Sequence, residues 1–225
     1  MVRWLLPVTL VLLVLGACWG LLVAPPDFRQ GNSSRIIYIH VPAAVVALSG
    51  YYVMAIAGAI ILIWRIKMAD VAMRAAAPVG AVLTGVALVT GAIWGKPTWG
   101  AWWVWDARIT SMLILFFLYL GVVALFEAYE NKAAAAKACA VLTLVGTVNI
   151  PIIYKSVDWW YSLHQPASLK FTGESAIDAS MLYPLLVMIA AFYLLFAVSM
   201  LLNMRAELLW HHRNANWLRQ RLDVS

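Results

Sequence analysis

An all-α, polytopic membrane bundle of six transmembrane helices is the fold class this sequence predicts, and three observations carry it. Apolar residues make up 64% of the chain, against roughly 45–50% in ordinary soluble domains. Charged residues supply only 12% of the 225, too few to cover a surface that faces water. Six apolar stretches are each long enough to cross a hydrocarbon core, which takes about 20 helical residues. Backbone groups in lipid must be satisfied within their own segment, so runs of this length are read as helices.

The predicted spans are 4–24, 41–63, 76–94, 109–126, 134–154 and 181–203, and a tail follows over 204–225. All 225 residues are read as one integral membrane domain. In the first span "LGAC" resembles a lipoprotein cleavage box, but "WGLLVA" continues the apolar run past Cys18. A retained helix is therefore expected. The second span opens on Val41-Pro42, and proline suits a first helical turn. "RIKMAD" separates the second and third spans, and "EAYENK" separates the fourth and fifth. Gly16/Gly20 and Gly91/Gly95 have the GxxxG spacing that permits close helix contact. Cys18 and Cys139 fall inside spans and are read as packing residues; without a CxxC or CxxCH, neither dithiol exchange nor covalent haem attachment is indicated.

Lysine and arginine orient the bundle. Ten of the 16 fall in the N-terminus, the even loops and the tail, and six in the odd loops. The bias places both termini in the cytoplasm and the odd loops outside. The net charge of +6 is thus a property of the loops, and nucleic acid is not implied.

With this topology the unusual residues are one-sided. Trp94, Trp99, Trp102, Trp103, Trp105, Trp159 and Trp160 lie at or beyond the outer boundary, whereas Trp4, Trp64, Trp210 and Trp217 belong to the inner side. An interfacial aromatic belt would populate both boundaries and many helix ends. Here "WGAWWVWDARIT" (99–110) holds four tryptophans within seven residues. If the segment is an amphipathic helix along the membrane surface, Trp99, Trp102, Trp103 and Asp106 share one face. That face would be a shelf for a large flat ligand with acidic groups, flanked by Lys96 and Arg108; the plainer reading is an Asp106–Arg108 ion pair on an interfacial helix. "GAIWGKPT" has the wrong glycine spacing for a phosphate loop.

Of four histidines, His211 and His212 lie in the basic tail, while His40 and His164 lie on the outer side near tryptophan-rich sequence. Trp160 and His164 would be neighbours on one helical turn. Two imidazoles on separate loops suit a shared metal. Zinc wants further Cys, His or carboxylate ligands, and none is obvious nearby. A haem iron needs only axial ligands, a flat apolar support and cations for its propionates. Arg35, Lys96, Arg108, Lys155 and Lys170 are on the expected side.

The "WGAWWVWDARIT" block resembles the WWD signature of haem-handling membrane proteins. Together with "RIIYIHVPAA", the spacing to "WWYSLHQ" and six spans, it resembles the cytochrome c maturation protein C (CcmC) family over roughly 25–215. Ile109 stands where a leucine is usual. The larger haem lyases of the superfamily carry two further membrane histidines, which this chain lacks. The resemblance implies a bacterial inner-membrane protein, not itself an enzyme, that binds haem b non-covalently on its periplasmic face. His40 and His164 would be the axial ligands, with Trp99, Trp102, Trp103, Trp105, Asp106 and Arg108 forming the platform. It implies delivery to a periplasmic haem chaperone (CcmE), with a small helper (CcmD) and ATP-binding cassette subunits (CcmA and CcmB) as partners. The alternative class, a b-type cytochrome or quinone-linked electron-transfer protein, would place histidines in mid-span, and none is found there. A proton-coupled transporter would need ionisable groups at that depth.

Overall fold

The computed structural model describes residues 2–164 and 177–211. Lys170, His212, Arg213, Trp217, Arg219 and Arg221 lie outside the described residues. Among the described residues seven α-helices account for six apolar spans: α1 (Val2–Cys18), α2 (Ile37–Trp64), α3 (Lys67–Trp99), α4 (Ala107–Ala128), α5 (Lys132–Gly146), α6 (Asn149–Trp159) and α7 (Ala179–His211). The polytopic helical class is as expected, and no strand is formed among the described residues.

The helices overrun their predicted limits, because hydropathy marks the lipid-facing length and hydrogen bonding carries the helix on into the interface. At 33 residues, α3 is roughly 50 Å long, well beyond the ~30 Å core. A π-helical turn, Trp19–Val23, extends the first span. A 3-10 turn, Asn32–Ile36, leads into α2, so the helix starts before Val41 and Pro42 falls inside it. The fifth span is two helices, since Pro151 has no N–H to offer the carbonyl of Thr147. Across that break Asn149 Nδ2 donates to the Ser111 carbonyl of α4 at 2.8 Å.

α2 and α3 form the centre. α4 packs on α3, α5 on α2 and α4, α6 on α4, and α7 covers α1, α2 and α3. Lipid provides no hydrophobic push between helices, so close backbone approach and buried hydrogen bonds carry the packing. Small residues make that approach possible: Ala43 and Ala47 of α2 and Ala76, Ala77 and Gly80 of α3 are all buried. Into the gap between them goes the ring of Tyr119, fully buried, whose hydroxyl donates to the Ala47 carbonyl at 2.7 Å. Tyr51 meets it edge-on with ring centroids 5.2 Å apart. At the end of the bundle where α3 begins, Arg74 pairs with Glu207 of α7 at 3.2 Å and stands 4.6 Å over the Phe126 ring of α4.

A methyl group on residue 80 would lie 2.0 Å from Tyr119 Cε1. Gly80→Ala therefore lowers stability by about 1–3 kcal/mol, the usual cost of overpacking. Thermal unfolding in detergent measures the loss, and Tyr119→Leu in the same background recovers part of it.

Candidate functional site

Two histidine seats lie at the tryptophan-rich end of the bundle. The first is built by α3. Ala87, Thr90, Gly91 and Trp94 follow the i, i+3, i+4, i+7 spacing and share one face. His40 of α2 lies on that face. Its Nδ1 stands 2.9 Å from the Ala87 carbonyl oxygen and 3.1 Å from Thr90 Oγ1. A carbonyl can only accept, so Nδ1 carries the proton and donates. Trp94 meets the imidazole edge-on at 5.8 Å, and its indole N–H donates to Gln30 Oε1 at 2.8 Å. Gln30 is presented by a tight turn in which Asp27 Oδ1 accepts from the backbone N–H groups of Arg29 and Gln30, each at 2.8 Å. Gly91 leaves the room for the ring: a Cβ there would come within 3.0 Å of His40 Cε1.

The second seat is built around Asp106, the residue immediately before α4. Its Oδ1 accepts from Ile109 N–H at 2.8 Å, a capping bond that also places the carboxylate at the positive end of the helix. Its Oδ2 accepts from His164 Nδ1 at 2.8 Å and from the Ser162 hydroxyl. Ser162 Oγ in turn accepts from the backbone N–H of His164 at 3.1 Å. Trp99 meets the His164 ring edge-on, with centroids 4.6 Å apart. Arg108 acts electrostatically on both imidazoles. Neither Nε2 takes part in a hydrogen bond among the described residues.

The expected amphipathic helix carrying Trp99, Trp102, Trp103 and Asp106 on one face is not formed. α3 ends at Trp99, where Gly100 takes the left-handed conformation at φ 78°. Residues 101–106 are non-helical until Asp106 opens the next helix. Gly100 is thus a helix stop and Asp106 a helix start, and a shared i, i+3, i+4, i+7 face across them is impossible. Trp103 and Trp105 meet edge-on at 5.4 Å, while Trp102 and Trp105 are 58% and 75% exposed. The expected pairing of Trp160 with His164 fails for a related reason: α6 ends at Trp159 and Trp160 is extended. His164 has Trp99 as its aromatic neighbour instead.

The cations divide. Arg108 forms no ion pair with Asp106; its Nη2 donates to the Tyr154 carbonyl at 3.3 Å, and its Nε is buried without a partner among the described residues. Arg35 donates to the Leu21 and Ala24 carbonyls at 2.7 and 3.2 Å, pinning the first loop. Lys96 donates to the Gly100 carbonyl, and Lys155 pairs with Asp158. Sequence reasoning missed Ser162 and the seat formed by Ala87 and Thr90. The spacing of Ala87, Thr90, Gly91 and Trp94 was a readable signal for a helix face, but nothing in it named His40 as the partner.

Burial alone would raise Asp106, yet the hydrogen bonds from Ile109, Ser162 and His164 outweigh it and hold the carboxyl below its ordinary value. Burial pushes His164 below its ordinary value, against the pull of Asp106. For both groups the unfolded chain takes up protons at a higher pH than the folded site does. The stability they contribute is complete above about pH 6.5 and is lost as pH falls, first through histidine and then through the carboxylate. Thermal unfolding of the purified protein at a series of pH values is expected to show Tm declining below about pH 6.5. In Asp106→Asn the part of that decline in the carboxylate range disappears.

The family model CcmC, Heme exporter protein C, matches residues 1–219. Heme exporter protein C of Escherichia coli K12 is 48% identical over 217 residues, covering 96% of this chain and 87% of the relative. That of Haemophilus influenzae is 49% identical over 211 residues, covering 94% and 86%. That of Bradyrhizobium diazoefficiens is 52% identical over 206 residues, covering 92% and 78%. With six apolar spans and a family match that takes in both histidine seats, the chain belongs to the CcmC, Heme exporter protein C, family.

Proposed function

We propose that this chain binds haem at its tryptophan-rich end and passes it to a periplasmic haem chaperone during the maturation of c-type cytochromes. The single observation that carries this reading is the pair of imidazoles. Each is held at Nδ1 by an oxygen acceptor, and each keeps Nε2 clear of other hydrogen bonds among the described residues. Two neutral imidazoles presenting Nε2 are what a porphyrin iron requires, since the macrocycle itself supplies the four equatorial nitrogens. The relatives' name, Heme exporter protein C, supports the same cargo.

The surroundings fit a flat ligand with an acidic edge. Arg108 Nε and Trp103 Nε1 are buried donors without an acceptor among the described residues, and carboxylates would supply one. Trp99, Trp102, Trp103 and Trp105 line the same end, and the exposed faces of Trp102 and Trp105 are free to cover a ring. Haem b held non-covalently is the form this reading assigns, in keeping with a sequence that carries no CxxCH. No bond of the haem is made or broken by this chain, whose task is binding and release.

The charge asymmetry of the loops supports an inner-membrane protein with both termini in the cytoplasm and the histidine seats on the periplasmic side. CcmE would be the acceptor, CcmD a small membrane partner, and CcmA and CcmB the ATP-binding cassette pair. This division of labour agrees with a chain that has no nucleotide-binding motif of its own.

The protein purified in detergent with haem is expected to give a low-spin, six-coordinate absorption spectrum. His40→Ala and His164→Ala should each convert it to a high-spin or five-coordinate form; if both leave it untouched, the axial assignment is wrong. Replacing Trp102, Trp103 and Trp105 together should lower haem occupancy severalfold. Trp102→Ala alone should change affinity only modestly, because an aromatic contact contributes about 0.5–1.5 kcal/mol beyond its area. Haem titration separates the two cases.

A further inference from the structure

The two histidine seats differ in one respect that bears on how a ligand leaves. His40 Nδ1 faces neutral oxygens, the Ala87 carbonyl at 2.9 Å and the Thr90 hydroxyl at 3.1 Å. His164 Nδ1 faces a carboxylate, Asp106 Oδ2, at 2.8 Å. An anionic acceptor draws the Nδ1 proton harder than a neutral one and makes the opposite nitrogen a stronger donor to a metal. We propose that Asp106 is a positioning residue that makes the two imidazoles unequal iron ligands, with His164 the firmer and His40 the one that yields first when haem is handed on. This rests on the haem-binding reading above.

The carboxylate is well placed for this role. Its other oxygen is occupied by Ile109 N–H at 2.8 Å, so the group cannot rotate without uncapping α4. Ser162 fixes both partners, donating to Asp106 Oδ2 and accepting from His164 N–H. Trp99, with its ring centroid 4.6 Å from that of His164, restrains the imidazole from the side. Asp106 thus acts through His164 rather than by touching the porphyrin, a different role from the platform residue that the WWD signature implies.

The chemistry of Asp106→Asn follows from donor and acceptor counting. Asparagine keeps the cap by accepting from Ile109 N–H through Oδ1, and it then presents an N–H to His164 Nδ1. Two donors cannot face each other, so Nδ1 becomes the acceptor and the ring proton moves to Nε2, the nitrogen needed for iron. The variant keeps its fold and loses its ligand.

Imidazole 15N NMR of the haem-free full-length protein tests the tautomer without any cofactor. His164, assigned by its absence from His164→Gly, is expected as the Nδ1–H form in the wild type and as the Nε2–H form in Asp106→Asn. An Nε2–H wild-type ring overturns the proposal even if the haem spectrum is bis-histidine. Carbon monoxide on the reduced haem protein tests the inequality, since it displaces the weaker ligand. The wild-type Fe–CO Raman bands are expected to match those of His40→Gly, and a match to His164→Gly overturns the proposal. Haem affinity should fall at least tenfold in Asp106→Asn, and an unchanged affinity overturns the proposal. If the wild type takes up no haem, the ligand inequality falls with the haem reading, while the tautomer result stands by itself.

Discussion

The carboxylate of Asp106 ties together segments that are distant in the chain, and the architecture of the tryptophan-rich end depends on it. One oxygen starts α4; the other holds His164 and Ser162, more than fifty residues later. The two tasks reinforce each other. The positive end of the helix favours a charged carboxylate, and a charged carboxylate is the strongest acceptor available to the His164 N–H. Remove the charge and the His164 N–H loses its strongest acceptor. Remove the cap and the carboxylate loses its direction.

The other imidazole is held by different means. His40 stands on a helix and meets a helix, and its orientation follows from how closely α2 and α3 approach. Small residues set that distance: Ala43 and Ala47 on one side, Ala76, Ala77 and Gly80 on the other, with Gly91 at the level of the ring. In lipid, where apolar contact between helices gains little, this interlocking keeps the pair together, and the Tyr119–Ala47 hydrogen bond fastens α4 to α2 beside it. One seat is therefore made rigid by packing and the other by charge. On the proposed haem-binding reading, such a division would serve a site that grips its ligand and then releases it.

Polar groups are rationed in this molecule, and their placement is informative. At the far end Arg74, Glu207 and Phe126 join α3, α7 and α4. At the tryptophan-rich end the buried donors of Arg108 and Trp103 have no acceptor among the described residues. An unsatisfied buried donor is costly.

The sequence by itself determined the class of the fold, the number of spans and the residues worth attention. It could do so because burial in lipid needs long apolar helices, and because tryptophan, histidine and acidic residues are conspicuous against them. His40, His164 and Asp106 were all legible in this way. Even the break in the tryptophan block was written there, in Gly100 and Asp106, though an uninterrupted amphipathic helix was the reading first suggested by spacing. Only the tertiary structure decided who meets whom. That His164 pairs with Asp106 and Trp99, that His40 rests on Ala87 and Thr90, and that Arg108 turns to Tyr154 are contacts between residues tens of positions apart. Periodicity reports on neighbours within a helix, whereas these pairings arise from the angles and distances at which separate helices come to rest.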